Sequence, residues 1–329
     1  MANENGILVV AETADGQLAP VTAELLGAAR RLAGELNQPV YAALLGSGVE
    51  ALAQEAIAFG ADKVFVAEDP LLAEYNTETH TAAMEKVCAE ANPSAVLIGQ
   101  TNTGRDLAPR LAFRLGSAVA MDCVELAVDS GKLIMTRPCY GGSAMAALSS
   151  NTMPAVATVR AKSQEPLERD ASRSGEVAKV APGLDASALH AKVVERTKAA
   201  AEGIRLEDAE VVVCGGRGIG SAEGFSSLEE LAQILGGAVG ATRAVCDLGW
   251  RPVAEQIGLT GKVVSPTLYF AVAVSGASQH MTGCSGSKNI VAINKDPEAN
   301  IFKTSRFGIV ADYKQVMPAL VEACRNLKS

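Results

Sequence analysis

Histidine is scarce in this chain: only His80, His190 and His280 occur in 329 residues. The seven cysteines (Cys88, Cys123, Cys139, Cys214, Cys246, Cys284 and Cys324) are odd in number and include no C-x-x-C pair. Neither a disulfide framework nor a zinc or iron–sulfur ligand set is indicated, and no metal site is expected. The thiols read instead as small buried hydrophobes. Basic residues are outnumbered, 29 Lys and Arg against 37 Asp and Glu, for a net charge of −8. No basic face is available for nucleic acid. Long apolar runs are missing too. The longest, such as VVSPTLYFAVAV, are short and interrupted, so no bilayer span and no direct membrane insertion are predicted. The sequence opens MANENGILVVAE, entering a strand with no charged-then-apolar leader, and a cytoplasmic protein is the expectation. Aromatic residues make up 4 % against 48 % hydrophobic overall. That balance suits a close-packed α/β protein and argues against disorder.

What is present alternates strand and helix. GILVVAE reads as a strand, and VTAELLGAARRLAGELN as an amphipathic helix with apolar residues at three- and four-residue steps. VYAALLG, a short helix around AQEAIAFG, KVFVAED, a helix near HTAAMEKVCAEA and AVLIGQT continue the pattern. Short strands apolar on both faces, divided by helices, predict a parallel sheet covered on both sides. After the helix GRDLAPRLAFRLG, the segments KLIMTRP, SAMAALS and AVATVR follow at turn spacing and predict an antiparallel extension of the same sheet. Residues 163–207 carry scattered charge and the breaker pair Pro182-Gly183, with a helix near Lys192–Ala201, and read as a linker. The alternation restarts in 208–329 with VVVCGG, a helix SLEELAQILGG whose Ser226 and Glu229 have capping-box spacing, and the strand AVGATRAV. LYFAVAVSG, NIVAINKD and FGIVADY supply later strands and YKQVMPALVEACRNL a closing helix. The expected fold is therefore two doubly wound, Rossmann-like α/β domains, 1–162 and 208–329, the first with an antiparallel extension.

Ligands of such sheets bind beyond the carboxyl ends of the strands. In the second domain every strand delivers small or polar residues there. The first ends in VVVCGGRGIGSAEGF, which approaches the G-x-G-x-x-G dinucleotide fingerprint but places Ser221 at the third glycine. Roughly 20 residues on, where an acid would hold a ribose, stand Thr242 and Arg243. A guanidinium there favours an anionic or electron-rich ligand and disfavours a plain NAD site. Gln256–Lys262, Ser275–His280, Asn294 and Asp312-Tyr313 follow later strands.

CGGRGIGSAEGF, GAVGATRAVCDLGW, QIGLTGK, VSGASQHMTG, AINKDPEANIF and GIVADY, in this order, resemble the FAD-binding domain of the electron-transfer flavoprotein alpha subunit family. NTGRDLAPRLAFRL, the Asp122 region and TRPCYGGSAMA are similar to that family's N-terminal domain. The resemblance spans essentially the whole chain. It implies one FAD in the C-terminal domain, a heterodimer with the beta subunit, and AMP or a second FAD in that partner. It implies an electron carrier with no small-molecule reaction of its own. Electrons would pass from flavoprotein dehydrogenases, acyl-CoA dehydrogenases among them, to a quinone oxidoreductase or similar acceptor.

The resemblance also implies roles for residues. Arg217 neutralises the pyrophosphate. Thr242 and Arg243 lie at the isoalloxazine, with the guanidinium over its face. Gln256 opens a loop, Ile257, Gly258, Leu259 and Thr260, that runs beneath the ring, the Thr260 hydroxyl reaching N5. Ser275, Gly276, Ala277, Ser278, Gln279 and His280 wrap the ribityl and phosphates, bringing His280 to the pyrimidine edge at O2. Asn294, Asp312 and Tyr313 lie on the adenosine side, Asp312 meeting the ribose. Arg243, His280 and Thr260 would tune the flavin, His280 adding part of a positive charge. Two departures stand out. The family loop usually reads Q-T-G-K, and here Leu259 replaces its glutamine; Ser143 stands where asparagine is common. An electron-bifurcating subunit using NADH, a stand-alone NAD(P)-dependent oxidoreductase and a non-redox adenine-nucleotide-binding protein remain as alternatives.

Overall fold

The computed structural model describes residues 5–142, 144–195 and 204–328. Among these the chain divides into two compact units, 5–139 with 144–195 and 204–328 with 140–142. In the first, strands β1 (Ile7–Ala11), β2 (Val40–Gly46), β3 (Lys63–Glu68) and β4 (Ala95–Gly99) alternate with helices α1 (Pro20–Leu36), α2 (Ala53–Ala58), α3 (Thr77–Ala91) and α4 (Asn102–Arg114). β1 and β4 are buried at every position. Helices on both faces demand this, which is why ILVVA and AVLIG carry no polar alternation. Pro20 occupies the first turn of α1, where its missing N–H costs nothing, and Asn37 ends the helix in a left-handed conformation at φ 53°. The Thr101 hydroxyl caps α4 by accepting from the Gly104 N–H at 3.0 Å.

After α4 come β5 (Val119–Cys123), β6 (Glu125–Asp129), β7 (Lys132–Cys139), β8 (Ala144–Leu148), β9 (Ala155–Val159) and β10 (Glu176–Lys179). The seven-stranded sheet has the order β10-β3-β2-β1-β4-β9-β5, parallel throughout. The antiparallel extension is present as a separate three-stranded sheet, β8-β7-β6. AVATVR is not part of it. β9 enters the parallel sheet between β4 and β5, and it is buried at all five positions, as an interior strand is and an extension is not.

The linker assignment of 163–207 also needs correction. β10 pairs in register with β3, Arg169 forms an ion pair with Glu55 at 2.8 Å, and the Asp170 N–H donates to the Ala58 carbonyl. Residues 163–180 thus belong to the first unit. As an edge strand, β10 exposes charged residues, so EVAK lacks the apolar run that marks a buried strand. Residues 192–195 are not helical, and the rest of the helix expected near Lys192–Ala201 lies outside the described residues, as does Ser143.

Glu12 lies just past β1, half-buried, its carboxyl accepting from the Thr101 hydroxyl at 2.7 Å. Burial pushes its pKa up to about 6 against the ordinary 4.5, the Thr101 bond only partly offsetting this. The folded chain therefore holds this proton to higher pH than the unfolded chain does. Stability falls as pH rises through that window and stays lower above it. Glutamine keeps an acceptor for Thr101 but has no charge to bury. Glu12→Gln should accordingly be more stable than wild type by about 2 kcal/mol at pH 8, with the difference vanishing near pH 4. Urea midpoints at the two pH values measure this, and equal differences at both would show that ionisation is not the cause.

The second unit begins with β11 (Val211–Gly215), followed by α5 (Ser226–Leu235), β12 (Ala238–Thr242), α6 (Arg243–Asp247), β13 (Gln256–Ile257), β14 (Leu268–Val272), α7 (Ser278–Cys284), β15 (Asn289–Asn294), β16 (Phe307–Val310) and α8 (Tyr313–Lys328). Its six-stranded parallel sheet runs β13-β12-β11-β14-β15-β16. Counted within the unit this is 3-2-1-4-5-6, the doubly wound dinucleotide-binding order. The capping box at Ser226 is absent. A 3-10 turn, Glu223–Phe225, runs straight into α5, and the Ser226 N–H is already bonded to the Glu223 carbonyl, so no cap is required. Among the described residues, no helix is long and apolar enough to cross a membrane, and no three acidic, histidine or cysteine residues cluster to hold a metal ion.

Candidate functional site

The strand order reverses between β11 and β14, the position beyond whose strand ends doubly wound sheets bind their ligands. β11 leads into Gly216, Arg217 and Gly218. A Cβ on Gly216 would stand 2.2 Å from the Ala273 carbonyl oxygen, and one on Gly218 would stand 3.0 Å from the Ala273 Cβ. These glycines therefore bring two protein loops together. The fingerprint reading, in which small residues admit a ligand, is incomplete here: the first demand on Gly216 is the chain after β14. Arg217 is exposed on the turn. Ala273 is held at φ 53°, a left-handed conformation that costs a residue with a Cβ about 1–2 kcal/mol. Ala273→Gly should thus raise the thermal midpoint, by about 1 kcal/mol of stability. A lowered midpoint would refute the strain.

β12 stops at Thr242, and Arg243 opens α6, so the strand expected over AVGATRAV is shorter than its β-branched residues suggested. Thr242 is half-buried. The Arg243 side chain is 67 % exposed, and its Nε lies 3.4 Å from Asp247 Oδ2, one helical turn on. The cation sits at the rim, with a carboxylate beside it.

The loop after β13 is drawn inward. Gln256 and Ile257 are buried, and the Gln256 side-chain amide donates to the Thr260 hydroxyl at 3.0 Å. Gly258 has φ 145°, and the Leu259 N–H donates to the Gln279 carbonyl at 2.7 Å, tying the loop to α7. Leu259 and Thr260 are exposed. Lys262 pairs with Glu207 at 2.8 Å.

His280 departs most from expectation. It is buried, with Nδ1 3.1 Å from the Ile257 carbonyl and Nε2 2.9 Å from the Tyr269 hydroxyl. Burial pushes its pKa down to about 4, the Ile257 bond opposing this only in part. The imidazole is neutral at pH 7 and contributes no part of a positive charge. Both ring nitrogens have protein partners.

Other residues divide the same way. Ser275, Ala277, Ser278 and Gln279 are exposed beyond β14. Gly276, at φ 80°, lets the Ile301 backbone approach: a Cβ there would meet Ile301 N at 2.2 Å. Asn294 uses both ends of its amide inside the protein, donating to the Val274 carbonyl at 2.8 Å and accepting from the Asp296 N–H at 3.0 Å. Asp312 is exposed and accepts from the Lys314 N–H. Tyr313 is buried and donates to the Ile219 carbonyl at 2.8 Å, pinning the glycine turn to α8. The structure thus gathers Arg217, Ser275, Ser278 and Gln279 as accessible groups, with Arg243, Thr260 and Asp312 at other strand ends of the same rim. Gln256, Ile257, His280, Asn294 and Tyr313 hold the loops from within. Sequence reading missed Ala273, Asp247 and Tyr269. The Arg-x-x-x-Asp spacing could have revealed Asp247; the other two depend on φ and on side-chain direction.

The donor set suits a dinucleotide carrying a flavin. Two exposed guanidiniums match a pyrophosphate and an electron-rich ring, and the exposed hydroxyls and amide match ribityl and phosphate oxygens. The chain is thus a two-unit α/β protein whose second sheet has the strand order of the nucleotide-binding class. The electron transfer flavoprotein domain model matches residues 7–185, and the electron transfer flavoprotein FAD-binding domain model matches residues 205–285. The electron transfer flavoprotein alpha subunit of Thermoanaerobacterium thermosaccharolyticum is 43 % identical over 330 residues, covering 100 % of both chains. That of Megasphaera elsdenii is 44 % identical over 333 residues, covering 100 % of this chain and 98 % of its own. A subunit of a lactate dehydrogenase (NAD(+),ferredoxin) from Acetobacterium woodii, LctC, is 36 % identical over 325 residues, covering 96 % of this chain and 76 % of its own. The chain belongs to the electron transfer flavoprotein alpha subunit family.

Proposed function

We propose that the chain holds FAD along the rim of its second sheet and works as the alpha half of a heterodimer with an electron-transfer flavoprotein beta subunit. It would take electrons from flavoprotein dehydrogenases, those acting on acyl-CoA included, and pass them to a quinone reductase or similar acceptor. FAD, when bound, supplies the one- and two-electron chemistry. The chain supplies charge, donors and shape. The observation that carries the reading is the junction at the switch point, where the turn bearing exposed Arg217 meets Ala273, at the head of the Ser275–Gln279 loop.

Arg217 is suited to the pyrophosphate, as a guanidinium forks two hydrogen bonds to phosphate oxygens. Arg243, always charged, would favour added negative charge on the ring. Thr260, its hydroxyl oxygen held by Gln256, keeps its own hydrogen to donate to a ring nitrogen. Asp312 uses one oxygen on α8 and would offer the other to ribose hydroxyls.

Flavin and AMP content of the heterodimer, purified after co-expression with its beta subunit, tests the proposal. One FAD with AMP is the expected result, and a colourless heterodimer refutes it. Two FAD, reduced rapidly by NADH without a dehydrogenase, would favour an electron-bifurcating subunit instead. The Acetobacterium woodii relative, named for NAD(+) and ferredoxin, gives that second reading its support.

Leu259 is 59 % exposed beside Thr260, where the family glutamine would present an amide to the flavin's polar edge. Restoring it in Leu259→Gln should shift the flavin midpoint potential. One hydrogen bond of about 1 kcal/mol corresponds to roughly 40 mV. Indistinguishable midpoints would dispose of the idea.

A further inference from the structure

Tyr269, on β14, is completely buried, with 0 % of its surface exposed. Its hydroxyl lies 2.9 Å from His280 Nε2 on α7 and within hydrogen-bond reach of the thiols of Cys214 on β11 and Cys284 on α7. The other imidazole nitrogen, Nδ1, stands 3.1 Å from the carbonyl oxygen of Ile257 on β13. A carbonyl oxygen can only accept, so Nδ1 carries a hydrogen. A neutral imidazole has only one, so Nε2 presents a lone pair, and the hydrogen between the two side chains belongs to Tyr269. Burial supports both ends of this, holding His280 neutral and Tyr269 protonated. The direction is therefore fixed: the tyrosine hydroxyl donates to Nε2, and Nδ1–H donates to Ile257.

We infer that Tyr269 is a positioning residue, holding His280 in its Nδ1–H form so that the imidazole fastens Ile257, and the Gly258–Thr260 loop that follows, to the core of the C-terminal unit. Without the tyrosine hydroxyl, Nε2 would be a buried acceptor with no donor. The cheapest remedy is to move the hydrogen to Nε2 or turn the ring, and either releases the Ile257 carbonyl. Leu259 N–H on the Gln279 carbonyl would then be the loop's main remaining tie to α7. His280 acts here through the backbone it grips, and Tyr269 acts through His280.

The test uses the full-length chain in its heterodimer, labelled with ¹⁵N-histidine. This chain contributes three histidines, and the His280 signal is assigned by its loss in His280→Asn, so its tautomer can be read from its nitrogen shifts. Wild type should show the Nδ1–H form. Tyr269→Phe should show the Nε2–H form or a mixture, while Cys284→Ala leaves the tautomer unchanged. Nε2–H in wild type, or an unaltered Nδ1–H form in Tyr269→Phe, overturns the inference. The wild-type tautomer decides even if the phenylalanine variant fails to fold. A second readout rests on the FAD reading proposed above: Tyr269→Phe should release FAD about tenfold faster, the equivalent of one loosened loop contact. A heterodimer without flavin would sink that reading and leave the tautomer result standing; normal FAD release with an altered tautomer would show that the grip on Ile257 does not reach the cofactor.

Discussion

Gly216→Ala is expected to destabilise the C-terminal unit strongly, with or without a nucleotide. The added methyl would lie 2.2 Å from the Ala273 carbonyl oxygen and 2.8 Å from the Ala273 carbonyl carbon and Val274 Cα, all backbone atoms. No side chain can swing aside. Relief requires separating β11 from β14, whose parallel pairing from Val211↔Leu268 to Gly215↔Val272 forms the middle of the sheet. The cost should be about 3–5 kcal/mol, at the upper end for a single substitution. Gly220→Ala is the control. Gly220, unlike the extended Gly216, has a positive φ, 93°, but a Cβ there meets nothing within 4 Å. It should lose only about 1 kcal/mol. Denaturant midpoints of the two variants would separate packing from conformational strain. Equal losses would mean that the approach of Ala273 to the turn is not what requires glycine.

Removing the Arg243 charge should lower the midpoint potential of bound FAD. A unit charge at about 4 Å and an effective dielectric near 20 contributes roughly 4 kcal/mol, equivalent to about 170 mV for one electron. That is a ceiling. The guanidinium is 67 % exposed and stands 3.4 Å from Asp247 Oδ2, so solvent and the carboxylate both dilute its field. Arg243→Gln is therefore expected to lower the potential by several tens of millivolts, well short of the roughly 170 mV ceiling. Asp247→Asn should act in the opposite direction, raising it, because the cation is no longer shared. Potentiometric titration of the FAD-loaded heterodimer measures both. If Asp247→Asn left the potential unmoved while Arg243→Gln lowered it, the pair would not persist beside the cofactor. If neither moved it, Arg243 would not be the group that sets it.

Periodicity made most of the fold legible. Doubly buried strands such as Val40–Gly46 and Ala95–Gly99 could only be interior parallel strands, and helices α1, α3 and α4 followed from their apolar spacing. It failed where context overrides local pattern. Ala155–Val159 follows antiparallel strands in the chain yet joins the parallel sheet, and Glu176–Lys179, charged because it lies at an edge, looked like linker. At the candidate site, the order of glycines, arginines and polar strand ends was legible, because a doubly wound sheet puts strand ends on one rim. Direction was not. Asn294, Tyr313 and His280 have the composition of ligand groups, yet they satisfy Val274, Ile219 and Ile257 inside the protein.

The sequence by itself determined the class of fold, the family, and which residues follow the strand ends, since all three follow from apolar period and the order of motifs along the chain. Only the tertiary structure decided which of those residues face outward and which brace the loops from within. A polar side chain is chemically the same in either role. What separates them is whether a buried backbone carbonyl stands within hydrogen-bond distance, and that depends on residues far apart in sequence.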